Sequence, residues 1–195
     1  METLSAPGPE AADLATLVAS RLCHDLVSPL GAIGNGLELL QMVSEPSPEL
    51  ALVAEAVASA QARLRLFRLA FGAASEGQSV APGDLTQAFA ALEGSGRVTV
   101  DCRLAAPLPR LQARRLALAA LCAETALARG GTITVLPGEV LAQGPRLRLE
   151  APVWESLRLG QPSDQTSGAT VHFALLAAFG PVALDTAEDR VSLRP

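Results

Sequence analysis

The sequence predicts an α + α/β protein. An N-terminal antiparallel helical hairpin forms a four-helix bundle by dimerisation, and a C-terminal α/β sandwich follows. Three observations carry this expectation. Apolar residues recur at steps of three and four through two long segments joined by a short, proline-containing turn. A small-residue stretch, AASEGQSVAPG at 73–83, then interrupts the pattern. Beyond it, short alternating runs are interleaved with helical ones, which predicts layers of strands and helices. The boundaries expected are a frayed terminus at 1–11, the hairpin at 12–75, a linker at 76–83 and the α/β domain at 84–195.

The first helix is expected over 12–43. Leu14, Val18, Leu22, Leu26, Leu30, Ile33, Leu37 and Leu40 form its apolar stripe. Pro29 lies inside it, removes one backbone bond and predicts a kink. The chain turns at Ser44–Glu49. Ser47 suits the N-cap, Pro48 the first helical position, and Glu49 the positive end of the next helix dipole. The second helix is expected over 48–72, with a heptad seam of Leu50, Val53, Val57, Ala60, Leu64, Phe67 and Phe71. Two helices cannot close a core alone. The seam therefore asks for a partner, most simply the same hairpin of a second subunit.

In the second part, Asp84 is expected to cap a helix reaching about Glu93, followed by a turn at Gly94-Ser95-Gly96 and a strand at Arg97–Leu104. A long apolar helix covers 110–129 and stops at Gly130-Gly131. Strands are expected at Thr132–Leu136 and Arg146–Glu150, a helix at Gly168–Phe179, and a hairpin from Val182–Asp185 and Arg190–Leu193.

Composition narrows the chemistry. Among 195 residues, 49% are hydrophobic and 18% charged, which excludes wholesale disorder. The 15 basic residues are all Arg; Lys and Tyr are absent, and Asn35 is the single asparagine. P-loop NTPases, Schiff-base enzymes and the usual kinase active sites need residues this chain does not have. A net charge of -5 argues against nucleic acid and anionic membrane as partners. Cys23, Cys102 and Cys122 are odd in number and widely spaced, which predicts reduced thiols in a cytoplasmic protein and no metal site. Residues 1–11 carry no basic or apolar segment of the signal-peptide kind, and no long uncharged apolar run predicts a membrane span.

His24 is the leading candidate for chemistry. At 100° per residue it falls almost opposite the apolar stripe of the first helix. This phase points it to solvent, either with a role or as an idle surface histidine. Ser20, Val27, Ser28, Gly31, Gly34, Asn35 and Glu38 share its face. Each glycine inside a helix costs about 1 kcal/mol relative to Ala. Either another molecule approaches the backbone there, or the glycines allow tight packing inside the bundle. With the turn centred near Glu45, His24 is expected level with about Phe67 on the second helix, near Arg63, Arg65 and Arg68. These arginines form either a collar for a phosphoryl group or acidic partner, or an ordinary solvated face. Arg21 and Ser28 stand one turn to either side of His24 and are candidates for docking or phosphoryl contact. His172, without an acidic or Cys neighbour one turn away, reads as structural, and Trp154 and Cys23 as packing.

The run Cys23-His24-Asp25-Leu26-Val27-Ser28-Pro29-Leu30-Gly31-Ala32-Ile33 resembles the H-box of the dimerisation and phosphotransfer hairpin of sensor histidine kinases. Continued through Gly34-Asn35-Gly36-Leu37-Glu38-Leu39-Leu40, it resembles more specifically the ChpT-type histidine phosphotransferases of alphaproteobacteria. A looser likeness extends through Phe67-Arg68-Leu69-Ala70-Phe71-Gly72 into the α/β domain. The resemblance implies a cytoplasmic homodimer whose four-helix bundle carries the phospho-accepting His24, beside a degenerate kinase ATP-binding domain. A working domain of that type needs an Asn on its long helix, a D-x-G-x-G box and a G-x-G-x-G lid. Leu116–Ala128 contains no Asn, and neither box occurs. ATP is therefore not expected as a ligand.

The mechanism implied is one step of a two-component phosphorelay. A neutral imidazole is a competent nucleophile. His24 takes a phosphoryl group from a receiver-domain aspartate of a hybrid histidine kinase and passes it to the aspartate of a response regulator, through a phosphohistidine. Asp25 fixes the tautomer, Ser28 and Pro29 shape the site, and Ser20, Arg21, Val27, Gly31, Asn35, Arg63 and Arg68 meet the partner. No cofactor is expected in this chain; Mg²⁺ is expected on the receiver. A non-catalytic dimeric docking module for receiver domains is the alternative, and an ATP-dependent histidine kinase a third.

Overall fold

The computed structural model describes residues 9–195, and the chain divides into two units, Met1–Ala73 and Ala74–Pro195. The expectation for the terminus at 1–11 lies outside the described residues up to residue 8. From Pro9 the backbone is already helical.

The first unit is a helical hairpin of α1 (Pro9–Val43) and α2 (Pro48–Phe71). Local chemistry sets the start of α2. Ser47 Oγ accepts from the Leu50 N–H at 3.1 Å, and Pro48 fills the first turn, where its missing N–H costs nothing. Hydrogen bonding of Glu49 to its own backbone N–H, and then to Ser47, holds its carboxyl below the usual range. Two bonds fix the register of the helices. Ser20 Oγ accepts from the Ala73 N–H at 3.0 Å, and Gln61 Nε2 donates to the Leu30 carbonyl at 3.0 Å.

The face of α1 that loses exposure differs from the expected apolar stripe. Thr16, Ala19, Ser20, Gly31 and Gly34 are half-buried and Cys23 is buried. Leu14, Val18, Leu22, Leu26, Ile33 and Leu40 of the stripe remain 50% to 62% exposed. Leu30 and Leu37 alone among the stripe residues are half-buried. Two helices approach closely where side chains are small, so the small-residue face is the one turned inward within the hairpin. The seam of α2 is likewise only partly covered: Leu64 is buried and Leu50, Val57, Phe67 and Phe71 half-buried, while Val53 is 47% exposed.

The second unit contains a five-stranded mixed sheet. Its strands are β2 (Val98–Cys102), β4 (Gly131–Leu136), β5 (Glu139–Gln143), β6 (Ala183–Thr186) and β7 (Arg190–Arg194), in the order β2-β4-β5-β7-β6. Only β2 and β4 are parallel, Val100 standing opposite Ile133; the rest of the ladder is antiparallel. A short pair of β1 (Ser79–Val80) and β3 (Leu108–Pro109) stands apart from it. The helices are α3 (Pro82–Phe89), α4 (Arg110–Ala126), α5 (Ala151–Leu159) and α6 (Val171–Ala177). Parallel strands need a crossover, and α4 supplies it between β2 and β4. Four consecutive residues, Ala117 to Ala120, are fully buried on α4, so the middle of the helix is enclosed on every side, packed on β4, β5 and α6. Phe89, Leu92, Ile133, Val135, Leu157, Leu176 and Leu193 complete the core. Gly130 ends the α4 segment at φ 86°, and a Cβ there would stand 2.5 Å from the Arg97 carbonyl oxygen.

Four expectations are corrected here. Residues 79–82, placed in a linker, form β1 and the start of α3. Asp84 is not the N-cap: α3 starts at Pro82 behind Ala81, which leaves Asp84 in the first turn, and a 3-10 turn covers Ala90–Ser95. Arg146–Glu150 is not a strand. The tight turn after Leu136 folds Glu139–Gln143 back onto β4, and this segment takes the place beside β7. Residues 146–150 run as a loop, tied by the Arg148 N–H to the Ala126 carbonyl at 2.9 Å. The helix expected at Gly168–Phe179 is shorter, Val171–Ala177, and α5 was not expected. Trp154 of α5 meets Phe173 edge-on at 5.4 Å, and His172 is buried with its ring 4.8 Å from the same Phe. Among the described residues no helix is long and apolar enough to cross a membrane.

Candidate functional site

His24 projects from α1 with its side chain 81% exposed. Its Nδ1 lies 3.3 Å from Asp25 Oδ1, and Arg21 Nε donates to the other oxygen, Oδ2, at 2.8 Å. The hydrogen bond with His24, and then the positive charge of Arg21, hold the Asp25 carboxyl below the usual aspartate range. Asp25 is therefore a carboxylate at neutral pH, and a carboxylate oxygen only accepts. The proton on this side of the ring belongs to Nδ1, which leaves the Nε2 lone pair facing away from Asp25.

The register bonds bracket this turn. Ser20 is tied to Ala73 and Leu30 to Gln61, so His24 stands level with Arg68 on α2. Arg68 also reaches Cys23 electrostatically: burial pushes the Cys23 thiol up, and the Arg68 charge pulls it back down. Beside His24 a groove of about 300 Å³ opens between the helices. Val27, Leu30 and Gly31 line it from α1, and Gln61, Leu64, Arg65 and Arg68 from α2. Val27 and Gly31 are three and seven residues beyond His24, hence on its side of the helix.

The sequence-predicted residues separate into groups. Arg21, Asp25 and His24 form one hydrogen-bonded chain. Val27, Gly31 and Arg68 line the groove. Ser28, Pro29 and Asn35 are exposed on α1. Pro29 has no N–H, so the Asp25 carbonyl lacks its usual donor four residues on, directly below the site. Ser20 turns its hydroxyl to Ala73 and so ties the helices. The Arg63 guanidinium lies over the Phe67 ring, 5.4 Å from its centroid. Arg65, one of the arginines expected near His24, also lines the groove, and Gln61 and Leu64, which the sequence did not mark as partner contacts, complete it. Their spacing with Arg68 along one face of α2 was the available signal.

The helix glycines do not share one reason. A Cβ on Gly34 would stand 2.6 Å from Gln61 Nε2, so this glycine serves packing. A Cβ on Gly31 would meet nothing within 4 Å, so that position is open toward the groove. In the second unit, a cavity of about 190 Å³ is lined by residues including Thr125, Arg148, Trp154 and Phe173. Among the described residues, no group of three or more His, Cys, Asp or Glu side chains is placed to hold a metal ion.

Comparison with known proteins covers both units. A family model described as the histidine phosphotransferase C-terminal domain matches residues 82–181. Over 75 residues, 38% of this chain, the sequence is 48% identical to the protein phosphotransferase ChpT of Brucella abortus (strain 2308). That match spans 36% of the relative's own length. The fold is similar to a solved structure of a bacterial phosphotransferase, with a TM-score of 0.63, 22% identity and 98% of each chain covered.

Proposed function

The chain belongs to the histidine phosphotransferase family, and we propose that it carries phosphoryl groups on His24 between receiver domains of a phosphorelay. The observation that carries this reading is the ring of His24: exposed, engaged through Nδ1 with a carboxylate, and with Nε2 directed away from it. In the step proposed, the Nε2 lone pair forms a bond to phosphorus. The bond to the receiver's aspartyl oxygen breaks, and that carboxylate leaves with the electron pair. His24 then passes the group to a second receiver's aspartate by the reverse exchange. This chain positions the nucleophile and binds the partner, which is most of what phosphoryl transfer asks of a protein. The groove beside His24 supports the docking role, since Gly31 leaves its α1 wall open and Arg65 and Arg68 suit an acidic partner edge. The metal that such a transfer uses is supplied by the receiver.

The reading extends to assembly and to the second unit. Two hairpins pair through the exposed apolar stripes of α1, Leu22, Leu26, Ile33 and Leu40 among them, into a cytoplasmic four-helix-bundle homodimer. The second unit is a degenerate ATPase-like domain that binds no nucleotide. The absence of Asn beyond Asn35 supports this.

Incubation of the full chain with a receiver domain phosphorylated on aspartate tests the proposal. Label should appear on the wild type and be absent from His24→Ala. Label that survives this substitution overturns the reading. Binding without transfer by the wild type favours the docking-module alternative, and label from ATP alone favours an autokinase.

A further inference from the structure

We propose that Arg21 is a positioning residue for His24, acting through Asp25. Its Nε holds one carboxylate oxygen so that the other receives the Nδ1–H and Nε2 stays unprotonated. The inference rests on the reading of His24 as the phosphoryl acceptor.

The geometry is a relay through two different oxygens of one carboxylate. Arg21 Nε meets Oδ2 at 2.8 Å, a full charge-assisted bond, while Oδ1 meets Nδ1 at 3.3 Å, a long one. A contact that long orients a ring weakly unless the acceptor is itself held. Asp25 is 49% exposed, so packing does not hold it. The bond from Arg21 selects its rotamer. Histidine in water prefers its proton on Nε2, the wrong nitrogen for attack from that atom. A fixed acceptor at Nδ1 reverses this preference.

Helix stability is the weaker reason for the pair. An acid preceding a base at i,i+4 is the favourable order, and Arg21–Asp25 runs the other way. Arg21 commits its Nε to Asp25, which turns the guanidinium toward that carboxylate. From α2, Arg65 and Arg68 supply positive charge to the adjoining groove. Bond formation at Nε2 leaves the ring positively charged with Nδ1 still protonated, and the Asp25 carboxylate offsets that charge. Arg21 keeps the carboxylate aligned during the change.

The test uses the full chain with ¹⁵N-histidine and compares Arg21→Gln, Arg21→Lys, Asp25→Asn and the double variant Arg21→Gln/Asp25→Asn. Ring ¹⁵N shifts read the tautomer of His24, with His24→Gln assigning the signals of His172. Phosphoramidate, whose P–N bond breaks as Nε2 attacks and ammonia leaves, reads nucleophilicity without a receiver. Arg21→Gln should lower the Nδ1–H fraction and slow phosphorylation about two- to fivefold, the range an exposed ion pair carries. Arg21→Lys should recover part of the loss, and Arg21→Gln should add nothing on the Asp25→Asn background. An unchanged tautomer, or equal slowing on both backgrounds, overturns the proposal. If phosphoramidate labels His24→Gln as it does the wild type, the functional reading fails, and the ring shifts still decide the Arg21–Asp25 relation.

Discussion

Gln61 of α2 donates its side-chain amide to the backbone carbonyl of Leu30 on α1, at 3.0 Å, in space that Gly34 leaves open. This bond closes the hairpin a few residues beyond His24 and sets which part of α2 faces the histidine turn. It also distinguishes two glycines that look alike in the sequence.

Gly34→Ala and Gly31→Ala should differ in stability. Each gains about 1 kcal/mol of helix propensity. At position 34 the new methyl displaces Gln61 Nε2 and forfeits a hydrogen bond of about 1 kcal/mol, so little net change is expected. At position 31 nothing is displaced, and the denaturation midpoint should rise. Receiver binding should weaken in Gly31→Ala, because the methyl enters the groove. Equal midpoint shifts for the two variants would contradict this assignment.

Ser47→Ala should cost the hairpin about 1 kcal/mol, since the Leu50 N–H loses its acceptor at the start of α2. Ser47→Asn should restore most of it. Chemical denaturation of both variants, followed by helical circular dichroism, measures the difference.

The Asp25 carboxyl should titrate below an ordinary aspartate. Its folded pKa is depressed, chiefly by the hydrogen bond with His24. The sign follows from that direction. The interaction is complete above the ordinary carboxylate range and is lost as pH falls through the depressed folded value. Carboxyl-carbon NMR titration should show this low midpoint, and both His24→Gln and Arg21→Gln should move it back upward. A midpoint at the ordinary value in the wild type counts against the relay of contacts around Asp25.

Leu26→Asp should break the proposed dimer. Leu26 is 50% exposed on the outward stripe of α1, so the hairpin itself has no need of it. Sedimentation should give two chains for the wild type and one for the variant. Phosphoramidate labelling of His24 should persist in the variant, because the His24–Asp25–Arg21 contacts lie within one chain. A wild type that sediments as a monomer at micromolar concentration removes the dimer from the proposal.

Much of the hairpin was legible because its determinants are local. Ser47-Pro48 marks a helix start by residue type alone, and 3.6-residue periodicity places His24 away from the apolar stripe. The contact between His24 and Asp25 was likewise foreseeable from adjacency, although Arg21 as the holder of Asp25 was not, since that depends on rotamers. In the second unit, α4 was visible through its unbroken apolar composition and the C-terminal hairpin through its alternation. The segment Arg146–Glu150 alternates as well as a real strand does. It lost the place beside β7 to Glu139–Gln143, which a tight turn delivers directly to β4. Helix α5 had a usable signal that went unread: Pro152 in the first turn and Gly160, at φ 64°, after the last.

The sequence by itself determined the two hairpin helices, α4 and the one histidine turned to solvent. These follow from residue type, periodicity and composition, which act over a few neighbours. Tertiary structure decided which face of α1 meets α2. An apolar stripe says only that something must cover it; close approach of two backbones selects Ser20, Cys23 and Gly34 instead, because only small side chains let the Gln61–Leu30 bond form. That choice leaves the leucines outward, a consequence that no local pattern contains.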